Sequence, residues 1–332
     1  MNGTKERNYY IDNIKAIVMF LMVFGHLLSS FKSIPAQYIY KVIYFFHMPL
    51  LIYISGYLSK FNLKKILLQL ALPFCVFRLF FAGFDFLIYG KVQFIWNEFG
   101  ILWYLFSLIL FKIMLHLIVK LISERYYLLF FIISICTGLI AGFIPLGEEF
   151  SFSRTFAFFP FFVLGYLVRN NIVRIKSNRF LNCFLPFIII VTITSSILLG
   201  IENINLFCSS SYKEPMDLIF RILQYVVVFS IIYLLFSNQI NKKVAILTLI
   251  SKFSMYIYLI HYFVIILIRK YKVLPNLDIS IIYSILLSIV LTIALAFFGF
   301  YLYTVKSKIF LKKKIQASGN LNKTDENIVA EK

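Results

Sequence analysis

The chain has 332 residues, 61% hydrophobic and only 14% charged, with a mean hydropathy of +0.88. A soluble domain is nearer half apolar and a quarter charged, and a single core cannot hide this excess, so water is excluded as the solvent for most of the chain. The net charge of +19 would suit nucleic acid, but the Lys and Arg residues sit in short connections between apolar runs, a pattern that orients membrane helices, so no nucleic-acid partner is expected.

A hydrocarbon core of about 30 Å needs roughly 20 apolar residues per helix. Such runs occur at 11–30, 39–59, 65–89, 99–122, 126–146, 154–169, 180–200, 217–237, 253–270 and 279–304, the sixth and ninth being short and so either less tilted or partly re-entrant. The expected fold is therefore all-α: a polytopic integral membrane protein with about ten transmembrane helices. The connections carrying Lys60, Lys64 and Lys65, Arg169 to Arg179, and Lys242 to Lys252 are basic, whereas those with Glu148 and Glu149, and with Glu202, Glu214 and Asp217, are acidic. This places both termini in the cytoplasm, with the connection holding Arg269, Lys270 and Lys272 as the exception. Residues 1–305 form the membrane domain and 306–332 a basic, then polar, disordered cytoplasmic tail. No cleavable signal peptide is expected, because the first apolar run continues as a full span. Cys75, Cys136, Cys183 and Cys208 have no CxxC or zinc spacing, so neither a disulfide framework nor a metal site is expected.

Ionisable residues inside spans are costly and mark candidate sites. Helix 1 carries Asp12, Lys15 and His26. Lys15 and His26 are eleven residues apart, about three turns and about 16 Å of rise on nearly one face. Asp12 and Lys15 also suit an interfacial ion pair. Helix 2 places His47 so that, in an antiparallel hairpin, its imidazole can approach that of His26, with Pro49 kinking the helix and freeing a carbonyl; a core histidine bonded to a carbonyl is the other reading. On helix 4, Lys112, His116 and Lys120 share a face and read as a snorkelling basic stripe. Arg154 opens helix 6, as a structural cap or an anion clamp, and His261 in helix 9 reads equally as core or as site. No HExxH, Gly-rich phosphate loop or GxSxG elbow is present, which favours histidine general-base chemistry.

The segments YIDNIKAIVMFLMVFGH, FFHMPLLIYISGYL, LWYL, SRTFAFFPFFVLGYL and SMYIYLIH, in that order, resemble the membrane-bound acyltransferase-3 family, close to its fucose 4-O-acetylase-like branch. The resemblance covers residues 8–305. It implies ten helices and transfer of an acyl group, usually acetyl from acetyl-CoA, to a hydroxyl of a cell-envelope polysaccharide or lipid-linked sugar, in a multi-pass protein of the bacterial plasma membrane. No bound cofactor is implied; acyl-CoA is a co-substrate, and membrane lipid is the remaining partner. The family signature in helix 1 is Arg, ten residues, then His. His26 matches it, whereas Lys15 stands at the Arg position and offers a point charge instead of a fork. On this reading His26, tuned by His47, is the catalytic base. Lys15 and Asp12 belong to the acyl-CoA site, and Arg154 and Trp103 to the sugar site, Trp103 alternatively being an interfacial belt residue. A transient acyl-histidine is the other chemical route. An exporter or flippase of a lipid-linked saccharide is the rival function, and it would require inverted repeats and paired broken helices, neither of which is clear in the sequence.

Overall fold

The computed structural model describes residues 7–31, 33–90, 100–144, 149–198, 211–271 and 280–330. Glu148, Glu202, Cys208 and Lys272 lie outside the described residues, as do the side chains beyond Lys308. Among the described residues the fold is entirely helical: α1 (Tyr9–Leu28), α2 (Ile34–Tyr57), α3 (Leu63–Tyr89), α4 (Gly100–Leu121), α5 (Glu124–Phe143), α6 (Phe152–Arg169), α7 (Arg179–Leu198), α8 (Met216–Ser237), α9 (Ala245–Lys252), α10 (Ser254–Lys270) and α11 (Ser280–Ala330). The helix assignment of α11 continues across the polar segment 316–330 that the sequence reads as a tail.

Local chemistry sets the helix ends. The Asn8 side chain accepts a hydrogen bond from the Ile11 amide and caps α1. Proline stands in the first turn of α2, where its missing N–H costs nothing. In α3 the turn Leu67–Ala71 widens to a π-helix just before Pro73, whose ring disrupts the regular ladder.

Among the described residues, α1 to α5, α7, α8 and α11 are long and apolar enough to cross a membrane, and α9 with α10 passes only as a pair bent by 77°, a broken span or a re-entrant segment. Helix α6 stands where the sixth span is expected. It opens with Ser153, Arg154 and Thr155, and its run Ala157–Leu164 is buried by protein, so it needs less lipid-compatible surface than its neighbours. Of the two runs read as short, one is thus a protein-enclosed helix and the other the second arm of a sharply bent pair. Helix α3 shows the opposite arrangement. Beyond Leu72 it buries no residue, and Leu79 and Leu87 are 69% and 80% exposed, as suits a helix against lipid.

The centre of the bundle is α1, α2 and α6. Helices α2 and α6 pair closely because each offers a glycine to the other's backbone. A Cβ on Gly56 would stand 2.0 Å from the Phe162 carbonyl oxygen, and one on Gly165 would stand 2.1 Å from that of Tyr53. Close approach of this kind substitutes for hydrophobic association, which lipid does not supply. Gly165→Val is therefore expected to destabilise the bundle by about 3 kcal/mol or more. Its thermal unfolding midpoint in detergent should fall sharply, and a midpoint equal to wild type would contradict this packing.

Candidate functional site

Three histidines meet in the bundle. His26 on α1, His47 on α2 and His261 on α10 line one cavity of about 270 Å³, together with Tyr44, Trp103, Arg154 and Tyr258. The His26 ring lies 5.2 Å from that of His261, centroid to centroid, and 5.7 Å from that of Tyr44. The Tyr44 hydroxyl and His26 Nδ1 are 2.8 Å apart and share a hydrogen bond. Tyr44 then meets His47 at 4.8 Å, so one tyrosine bridges the two imidazoles that the sequence brings together across the hairpin.

His47 and His261 are held alike. Each Nδ1 faces the carbonyl one turn back on its own helix, Ile43 at 2.8 Å and Ile257 at 2.9 Å. A carbonyl only accepts, so Nδ1 carries the proton and Nε2 of the neutral ring keeps its lone pair. On His261, which is fully buried, that Nε2 has no hydrogen-bond partner among the described residues. A buried acceptor left unpaired is costly unless something binds there.

The position of His47 rests on Pro49. A proline has no N–H for the carbonyl four residues back, here that of Phe45. The Gln224 amide on α8 donates to that freed oxygen at 2.8 Å, and Arg221 donates to the Gln224 side-chain oxygen. Arg221 is itself wholly buried, with its guanidinium 5.7 Å from the Phe158 ring centroid. The turn around Pro49, two residues from His47, is thereby tied to α8 by a polar chain in the apolar interior.

Arg154 and Trp103 are brought to the same cavity. The guanidinium lies 4.9 Å over the indole, and Trp103 also meets Phe158 at 5.6 Å. At 9% exposure Trp103 is buried against protein, unlike an interfacial belt residue. Arg269 closes the far end of α1, donating to the His26 carbonyl at 2.9 Å and to Ser29 and Ser30 at 2.7 and 2.8 Å.

Lys15 opens onto a second cavity of about 210 Å³, lined also by Lys112, Ser55, Tyr104, Ser254 and Tyr258. Among the described residues, no carboxylate lines it. Lys15 donates to the Ser251 carbonyl at 3.2 Å, at the break between α9 and α10. Asp12 does not neutralise it at close range. It pairs with Arg7 at 2.5 Å and accepts from the Ser251 hydroxyl at 2.7 Å, which places it beside Lys15 and off the cavity wall. The basic stripe read on helix 4 divides here: Lys112 turns into the cavity and donates to Ser59 at 3.2 Å, while His116 stacks on Phe61 at 3.6 Å. Tyr44, Tyr258, Arg221 and Gln224 give no local sequence signal, although Arg221 is a charge within an apolar run.

A family model described as "Acyltransferase domain" matches residues 8–302. The chain is also 42% identical over 62 residues to a protein of Mesorhizobium japonicum named nodulation protein NolL, a match covering 17% of each chain. No solved structure gives a significant match.

Proposed function

The chain belongs to the acyltransferase-3 family, and from that premise we propose that it is a membrane O-acyltransferase moving an acetyl group from cytoplasmic acetyl-CoA to a hydroxyl of a cell-envelope polysaccharide or lipid-linked sugar. The observation that carries this reading is the pair of cavities along α1, one with two ammonium groups and the other with three imidazoles. With both termini in the cytoplasm, as the basic connections favour, the lysine cavity faces the donor and the histidine cavity faces the acceptor.

The chemistry divides accordingly. Lys15 and Lys112 attract the anionic donor, whose pantetheine arm is long enough for the rise of about 16 Å from Lys15 to His26. The His26 imidazole takes the proton of the acceptor hydroxyl as that oxygen attacks the thioester carbonyl. The C–O bond forms, the C–S bond breaks, and the thiolate leaves with a proton as free CoA. Tyr44, bonded to His26 Nδ1, orients the ring, and Arg154 over Trp103 offers a cation and an aromatic wall to the sugar. The acetyl group follows from the fucose 4-O-acetylase-like branch that the five ordered segments resemble.

The test uses the full chain in native membranes with acetyl-CoA labelled in the acetyl group, and the purified protein with unlabelled CoA. Label should enter envelope glycan, and CoA should raise the unfolding midpoint. No label in glycan and no shift with CoA would discard the acyltransferase reading and favour saccharide export.

A further inference from the structure

The lysine cavity and the histidine cavity share one residue, Tyr258. Neighbouring helices each supply both sides about one turn apart: Met19 and Met22 on α1, Leu51 and Met48 on α2, and Tyr104 and Ile101 on α4. The boundary between the cavities therefore lies at the level of the Tyr258 ring. That ring is fixed from two directions. Its hydroxyl donates to the Ile101 carbonyl, in the turn that opens α4. Its face meets Tyr104 nearly edge-on at 5.2 Å, and the Tyr104 hydroxyl is bonded to Ser55 of α2 at 2.7 Å. Tyr258 is 4% exposed, so both cavities see it as wall.

We propose that Tyr258 is the partition between the thioester side and the acceptor side, and that its ring selects a sugar hydroxyl over water. This inference rests on the acyltransferase reading above. A base able to deprotonate a sugar hydroxyl also deprotonates water, and a cavity of about 270 Å³ has room for several waters. Water activated by the imidazoles would attack the thioester carbonyl. A C–O bond would form and the C–S bond break, giving acetic acid and free CoA with no acceptor modified. Sites that handle reactive acyl groups suppress this loss by excluding water. Here the ring keeps the thioester on the lysine side, away from water activated by the imidazoles, until a seated sugar admits it.

The test is thiol release from acetyl-CoA by the purified full chain with no glycan present. Tyr258→Ala and Tyr258→Leu are expected to raise this hydrolysis about tenfold, while Tyr258→Phe, which keeps the ring, stays within about twofold of wild type. CoA should still raise the unfolding midpoint of each variant, because Lys15 and Lys112 remain in place. Wild-type hydrolysis in a Tyr258→Leu protein that CoA still stabilises would overturn the partition, and so would a rise in Tyr258→Phe as large as in Tyr258→Ala. Leucine keeps an apolar side chain in the helix, so this variant decides the matter where alanine does not accumulate. Absence of both CoA stabilisation and acetyl transfer in wild type would instead bring down the acyltransferase reading, and the partition with it.

Discussion

His26→Ala is expected to lower acetyl transfer to envelope glycan by about a thousandfold while the protein accumulates to wild-type levels. The side chain is half-buried on the cavity wall, and its one side-chain hydrogen bond, to Tyr44, leaves with it. The loss should therefore fall on chemistry more than on folding. His261 stands 5.2 Å away with an unpartnered Nε2, so the residual rate should fall again in a His26→Ala, His261→Ala double variant. Transfer retained by His26→Ala at equal protein level would remove His26 from the catalytic role. Tyr44→Phe separates base from orienting group: it keeps the imidazole and deletes the hydrogen bond, and should cost much less than His26→Ala.

Lys15→Met and Lys112→Met are each expected to raise the KM for acetyl-CoA by about tenfold to a hundredfold, with a smaller effect on kcat. Methionine keeps much of the length and apolar stem and removes only the charge. Among the described residues the cavity wall holds two ammonium groups and no carboxylate, so it suits an anion. Among the described residues the Lys15 ammonium donates to one carbonyl, at 3.2 Å, which leaves donors for a ligand. Lys15→Arg restores the residue of the family signature and should retain activity, the fork adding a second donor to a phosphate. Unchanged KM and unchanged stabilisation by CoA in both methionine variants would exclude this cavity as the donor site. The pair is also informative singly, because Lys112 lies on α4 and Lys15 on α1.

Several features of the site were legible in the chain. A charge or imidazole within an apolar run stands out, because lipid tolerates it only when it faces protein or a cavity. That rule selected Lys15, His26, His47 and Arg154. Helix period alone set Lys15 and His26 along one face, and the hairpin brought His47 near His26 through Tyr44. Pro49 announced a freed carbonyl, and Gln224 answers it. The same reasoning misjudged Lys112, since a lysine near a helix end snorkels to the interface or enters a cavity with an identical sequence pattern. Tyr258 was out of reach altogether. A tyrosine in SMYIYLIH is ordinary in a chain with 22 of them, and only packing makes one of them the wall of two cavities.

The sequence by itself determined the membrane as solvent, the places of the helices and the candidate polar residues, because each follows from local apolarity and the price of burying charge. It also carried the family through five ordered segments. Only the tertiary structure decided which polar residues meet. His261 joins His26 because α10 packs on α1. Asp12, beside Lys15, pairs with Arg7 and accepts from Ser251 because α9 ends next to it. Trp103 is buried against protein because Arg154 and Phe158 cover it. These are contacts between helices distant in sequence, fixed by close approaches such as that of Gly56 and Gly165, and no periodicity within a single helix encodes them.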